Sequence, residues 1–302
     1  MTTVPATATT TAPTTRAPRR SSSDGHALGA VLRYLGIAAA LIFALFPIWF
    51  IVAAAVNPAG TISTTELVPA GVSGANYEDL TAARPYWSWY KNTLIIAGFG
   101  SLAAVFLGVL AAYAFSRLRF AGRRPGLMAL LLIQMFPSLL TFVALYRIFV
   151  YLGDVIPALG FNTALGLIAA YLGGAMGANV WLLKGYFDTV PKELDEAAKV
   201  DGASHARIFF TITLPLITPI LVTVGMIQFI GLVNEFLLAS IFLKDVDAQT
   251  LGVGLWGLLE ADRNRYFGAF CVGALLASIP VVLLYLTFQK QLVGGLTSGS
   301  VK

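Results

Sequence analysis

Long apolar runs separated by short polar intervals dominate this chain, and the runs exceed what a soluble core needs. A hydrocarbon layer of ~30 Å takes ~20 apolar helical residues. Six stretches reach that length, near residues 30–56, 92–115, 126–150, 163–184, 214–239 and 266–289. The pattern predicts an all-α integral membrane protein with six transmembrane helices. In the fifth stretch Pro215 and Pro219 fall in the opening turns, where proline removes no helical hydrogen bond. Gln228, Asn234 and Glu235 interrupt the same stretch.

The ends read differently. Residues 1–25 are rich in Thr, Ala, Pro and Ser and cannot bury a core, which predicts a disordered cytoplasmic tail. Ala53–Ala55 could imitate a cleavage site, but the apolar run at 35–56 is longer than the ~7–15 residues of a signal sequence. It reads as a retained first span. The membrane domain then covers residues 26–289, and residues 290–302 form a cytoplasmic C-terminal tail.

Composition agrees. Hydrophobic residues make up 57% and charged residues 12%, against about a quarter charged in soluble domains. Lys and Arg outnumber Asp and Glu by 20 to 15. The surplus sits at the ends of the apolar runs, so it is no nucleic-acid footprint. With six spans, fourteen Lys and Arg fall on the side of both termini and six on the other, which places both termini in the cytoplasm. Three outer loops follow, near 57–91, 151–162 and 240–265. The first ends in Tyr86, Trp87, Trp89 and Tyr90, read as an interfacial aromatic belt, with ligand contact as the rival.

Catalytic chemistry is hard to find. Cys271 is the only cysteine, so no intramolecular disulfide and no Cys/His metal site can form. His26 and His205 lack the partners of a triad, and no G-x-x-x-x-G-K-[ST] phosphate loop occurs. No catalytic residue and no metal ligand is expected. Inside the spans, Gln228, Gly231 and Glu235 share one helix face with Asn234 beside it, and Gln134, Ser138 and Thr141 share another next to a kink at Pro137. Such groups either bond across helices or line a polar path. Gln134, Asn234 and Glu235 are the candidates for a path. A stripe of small residues, Gly166, Ala170, Gly174 and Ala178, reads as helix packing.

The most informative interval is PKELDEAAKVDGASHARIFFTITLPLITP, from Pro191 to Pro219. Pro191 suits the start of a short helix whose Glu193, Asp195 and Glu196 lie at the positive end of its dipole. Gly202 supplies a left-handed stop, and Ser204 caps a second short helix. Ala197, Ala198 and Ala203 leave room for another protein's surface. An amphipathic loop lying on lipid headgroups is the other reading.

Glu196-Ala197-Ala198, Asp201-Gly202-Ala203 and Leu214-Pro215-Leu216 resemble the EAA loop of ABC-importer permeases. Ala112–Phe120, Gln134-Met135-Phe136-Pro137 and Asn92-Thr93-Leu94 resemble the carbohydrate-uptake branch. Ala170–Gly174, Lys184–Phe187 and Leu292–Lys302 resemble the smaller, MalG-type permease subunit of maltose/maltodextrin transporters. The resemblance covers about residues 90–302 and implies a type I permease fold. It implies a bacterial inner-membrane assembly: a second permease subunit, a dimer of ATPase subunits carrying ATP and Mg, and an extracytoplasmic sugar-binding protein. It also implies that Glu196, Ala197, Ala198, Asp201, Gly202 and Ala203 couple to the ATPase within a loop at about 185–213. Leu296, Thr297, Ser298, Gly299, Ser300, Val301 and Lys302 would reach between the ATPase subunits. The expected function is that of a maltodextrin-type permease with no enzyme activity of its own. An ion-gradient-driven sugar transporter and a receptor-like membrane scaffold are the competing readings.

Overall fold

The computed structural model describes residues 23–69, 71–82 and 84–297. The expected N-terminal tail up to residue 22, and Ser298, Gly299, Ser300, Val301 and Lys302, lie outside the described residues. Every regular element among the described residues is helical: α1 Ser23–Val56, α2 Ala75–Ala82, α3 Tyr86–Arg117, α4 Arg123–Gln134, α5 Ser138–Val155, α6 Ala164–Thr189, α7 Lys192–Val200, α8 His205–Ile208, α9 Leu214–Val233, α10 Leu237–Phe242, α11 Leu251–Asp262 and α12 Phe267–Thr297. Residues 23–25, expected in the tail, open α1, and Leu296 and Thr297 close α12. Two units are distinguished. One extends to Trp49 and the other runs from Phe50 onward.

Among the described residues, four helical segments are long and apolar enough to cross a bilayer: Gly29–Val56, Tyr86–Arg117, His205–Val233 and Phe267–Gln291. A fifth is added when Ala164–Gly174 and Gly177–Thr189, bent by 57°, count as one span. The third expected stretch, 126–150, is divided between α4 and α5 rather than forming one helix. Pro137 is the cause: it has no amide to donate, and its own backbone leaves the helical region at ψ 119°. Sequence had suggested a kink there; the backbone breaks.

The fifth stretch departs the other way. Its helix begins earlier, at His205, and continues into α9 through a widened turn over Phe209–Thr213. There the Leu214 amide bonds to the Phe209 carbonyl, five residues back. A turn of this kind re-pairs groups that Pro215, whose nitrogen carries no hydrogen, would otherwise leave unmatched. The second short helix is thus the foot of a span, and no boundary falls at Pro215. The span ends at Asn234, and residues 237–242 belong to the separate α10.

Helices α3, α6 and α9 pack together in the second unit. Gly100, Ala104, Gly108 and Ala112, every fourth residue of α3, are all buried. A Cβ on Gly108 would lie 3.2 Å from the Asn179 side chain on α6, so the small residue sets the close approach. The α6 stripe is used only in part: Gly166 and Ala170 are buried, while a Cβ on Gly174 would meet nothing within 4 Å among the described residues and Ala178 is exposed. Asn179 accepts from the Gln228 amide at 2.8 Å, linking α6 to α9. The expected aromatic belt is also revised. Tyr86 and Trp89 are core residues, at 0% and 3% exposure, with Tyr86 donating to the Gly273 carbonyl and Trp89 to that of Val246.

Candidate coupling site

Helix α7 is built as its sequence dictates. Pro191 precedes it in an extended conformation, Glu193 and Asp195 occupy its first turn, and Lys199 its last. Charges in these places favour the helix dipole. Gly202 ends it at φ 78°, a conformation that costs a residue with a Cβ more than glycine. The Gly202 amide bonds to Lys199 O at 3.0 Å and the Ala203 amide to Ala198 O at 2.9 Å, the two bonds of a Schellman stop. Ser204 then accepts from the Arg207 amide, capping the next helix.

The two faces of α7 differ. Glu193, Glu196, Ala197 and Val200 are all exposed and stand at i, i+3, i+4 and i+7, one continuous stripe. Asp201 and Gly202 extend it at the C-terminal end, and a Cβ on Gly202 would meet nothing within 4 Å. Ala198 and Ala203 are half-buried. Asp195 is the one buried residue of α7 and faces the opposite way.

What Asp195 meets holds the site together. Its Oδ2 lies 2.9 Å from Arg117 Nε at the end of α3, with side chains 7% and 5% exposed. The Arg117 N–H is not aimed along that line, so the pair is ionic without a formal hydrogen bond. Thr213 donates to Asp195 Oδ1 at 3.2 Å, and Arg117 Nη2 donates to the Val190 carbonyl at 2.7 Å. One guanidinium thus ties the end of α3 to both the entry and the body of α7, while Thr213 ties the foot of α9 to the same carboxylate. Below lies an aromatic floor, Tyr113 stacking edge-on with Phe187 and Phe209 at 5.7 and 4.8 Å. Close by, Asp188 accepts from Ser116 and Lys184, and Arg123 donates to the Phe115 and Ser116 carbonyls.

The candidate path residues are not gathered in the same way. Gln134 is exposed at the end of α4, bonds to Leu130 O, and lies against Gly177 of α6, where a Cβ would sit 2.9 Å from it. Asn234 is exposed and borders a cavity of about 420 Å³ shared with Phe236, Trp256 and Ser278. Glu235 is turned inward: it accepts from the Tyr171 hydroxyl and from the amides of Leu238 and Ala239. Its carboxylate therefore caps α10.

Sequence reading overlooked Arg117, Thr213 and Asp188. No spacing signal links Arg117 to a carboxylate 78 positions later; only an arginine ending an apolar run hinted at it. It also found no task for Asn92 and Thr93. They hold the loop before α11, Asn92 donating to Asp247 O and Gln249 O, and Thr93 accepting from the Leu251 amide.

The chain matches the family model described as "Binding-protein-dependent transport system inner membrane component" over residues 104–297. It is 40% identical over 282 residues to the maltose/maltodextrin transport system permease protein MalG of Vibrio vulnificus, covering 89% of this chain and 94% of that one. It is 37% identical over 272 residues to the galactooligosaccharides transport system permease protein GanQ of Bacillus subtilis, covering 89% and 94%. Among solved structures, a chain of a bacterial ABC transporter that imports the acidic polysaccharide alginate superposes with a TM-score of 0.70 at 24% identity, over 91% of this chain and 99% of that one. That likeness concerns the fold. These relatives are permease subunits and not enzymes, ATP hydrolysis being the task of a separate ATPase. The chain belongs to the family of binding-protein-dependent transport system inner membrane components, the permease subunits of ABC importers.

Proposed function

We propose that this chain is one of two permease subunits of an importer for maltodextrin-type oligosaccharides, gripped by a separate ATPase through α7. The single observation that carries the coupling role is the exposed stripe of Glu193, Glu196, Ala197 and Val200 on a helix whose other face is pinned by a buried ion pair. A helix held in this way can pass a rigid-body movement to the spans, whereas a loose loop would absorb it. Six spans result when α4 with α5, and the two halves of α6, each cross once alongside the four continuous helices. Both termini and α7 then face the cytoplasm. Basic residues near the ends of the spanning helices (Arg117, Arg123 and Lys184) and on α7 (Lys192 and Lys199) fit that orientation.

In this reading ATP and Mg are bound by the ATPase, the tail from Leu296 to Lys302 reaches toward it, and an external binding protein delivers sugar at the opposite end. Maltose and maltodextrins lead because of the 40% identity to MalG of Vibrio vulnificus. Galacto-oligosaccharides are the second reading, supported by the 37% identity to GanQ. The test is a glycan panel on the cognate binding protein, followed by uptake into proteoliposomes holding all subunits. Maltotriose uptake that needs ATP and ignores a protonophore supports the proposal. Uptake that persists without ATP and collapses with the proton gradient points to an ion-driven carrier instead.

A further inference from the structure

At the end of the helices opposite α7, the start of α10, the loop after it and α11 enclose a cleft of about 320 Å³, a size at the lower end for ligand pockets. Its lining is unlike the apolar surface around it. Trp256 and Phe236 form an aromatic corner, ring centroids 5.7 Å apart and crossed at 62°, and Trp256 keeps 46% of its surface exposed. Lys244, Gln249 and Glu260 line the same space. Among the described residues, none of their three side chains makes a hydrogen bond or ion pair, and the Trp256 indole N–H has no acceptor.

The backbone beneath these free side chains is held firmly. Asn162 accepts from the amides of Lys244 and Asp245 at 2.6 and 3.0 Å. Trp89 donates to Val246 O, Asn92 to Asp247 O and Gln249 O, and Thr93 accepts from Leu251 N. A loop tied down at nearly every position, yet presenting unused donors, acceptors and an aromatic face, is preorganised for a ligand. An aromatic plane beside an amide, a carboxylate and an ammonium suits a polyhydroxyl ring. The apolar face of the ring stacks, and its hydroxyls both donate and accept.

We infer that this cleft is a glycan subsite, taking one or two rings of a neutral oligosaccharide on Trp256, with Gln249, Glu260 and Lys244 bonding the hydroxyls. The inference rests on the sugar-importer reading and its orientation, which turn this end outward. Lys244 and Glu260 carry opposite charges, so the cleft has no net charge and a uronate chain gains nothing there over a neutral one.

The test uses the complete transporter in nanodiscs, titrated with maltotriose, galactotriose and trimannuronate. The difference in emission between wild type and Trp256→Phe isolates the signal of Trp256. A neutral glycan should shift that signal, and trimannuronate should shift it no more. In uptake, Trp256→Ala should raise KM about fivefold with the maximal rate kept, and Trp256→Phe should stay near wild type. Gln249→Ala and Glu260→Gln should each raise KM about two- to fivefold. The subsite is overturned if no glycan changes Trp256 emission, or if Trp256→Ala, Gln249→Ala and Glu260→Gln all keep the wild-type KM. If Trp256 responds to glycan yet no ATP-dependent uptake occurs, the importer reading fails and the subsite stands.

Discussion

Replacing Asp195 with alanine isolates the grip on α7 from its outward surface. The mutation leaves the exposed stripe untouched and removes the one buried side chain of the helix. Arg117, 5% exposed, then keeps only its bond to the Val190 carbonyl. Removing one member of a buried ion pair costs ~3–5 kcal/mol, because a charge is left without its partner. A loss of ~3 kcal/mol changes an equilibrium on the order of a hundredfold. A docked-to-released ratio of about 100:1 would therefore fall to near parity. The spans bury their apolar surfaces independently of this pair, so the complex should still assemble while α7 swings free. Amide exchange over residues 192–203 should speed up on the order of a hundredfold, and sugar imported per ATP hydrolysed should drop. Thr213→Val removes a single hydrogen bond, ~1 kcal/mol, and should give a milder defect of the same kind. The exchanged pair Arg117→Asp with Asp195→Arg should recover part of the coupling. Unchanged amide protection in Asp195→Ala, with an unchanged import-to-hydrolysis ratio, would refute the grip.

Two further outcomes are expected. Gly202→Asn, which tolerates a positive φ, should keep the Schellman stop and most uptake, whereas Gly202→Val should shorten protection of the α7 C-terminus and lower coupling; equal activity of the two variants would show that backbone conformation at 202 is irrelevant. Glu235→Ala should destabilise the α10 turn by about 1–2 kcal/mol, seen as faster amide exchange at Leu238 and Ala239, and Glu235→Gln should lose less; no change at those two amides contradicts the capping role.

How much of this was legible in the sequence follows from how local each signal is. Gly202 as a stop and Ser204 as a cap depend on neighbours within five positions, and both occur where the residue types place them. The break at Pro137 was visible as a weakness, because proline acts on its own turn, but its severity depends on which groups surround it. Pro215 was misleading for the same reason. The opening turn of a span was the local inference, and a widened turn over Phe209–Thr213 carries the helix past the residue instead. Long-range partners left no local trace. Arg117 and Asp195, Asn179 and Gln228, and Trp89 and Val246 are united only by how the helices pack. The small-residue series Gly100, Ala104, Gly108 and Ala112 was readable at four-residue spacing, yet the stripe on α6 is the more conspicuous one, and a Cβ added at Gly174 would meet nothing within 4 Å among the described residues. Gln134, Asn234 and Glu235 were legible as polar residues set in apolar stretches and ambiguous as to role, since a carboxylate that caps a helix and one that meets a ligand have the same composition.

Helix α3 explains why distant parts of this chain should act together. At one end Trp89, Asn92 and Thr93 hold the segment from Val246 to Leu251, and at the other Arg117 holds Asp195 and Val190. Thirty-two residues at 1.5 Å each give a rod of about 48 Å, close to the thickness of a whole bilayer. Its small-residue face lies against α6 and, at Gly100, against Leu232 of α9, so bending it would open gaps along a close-packed seam. A pull on α7 should therefore reach the cleft at the opposite end as movement of a stiff rod, without remodelling of the helix between. Spin labels on Lys91 and Leu110, both exposed on α3, should sit about 28 Å apart along the axis. That distance should stay a single narrow peak through nucleotide binding and hydrolysis. A second, shorter distance appearing with ATP would mean that α3 itself folds or kinks during transport, and the two anchored ends would then be independent of each other.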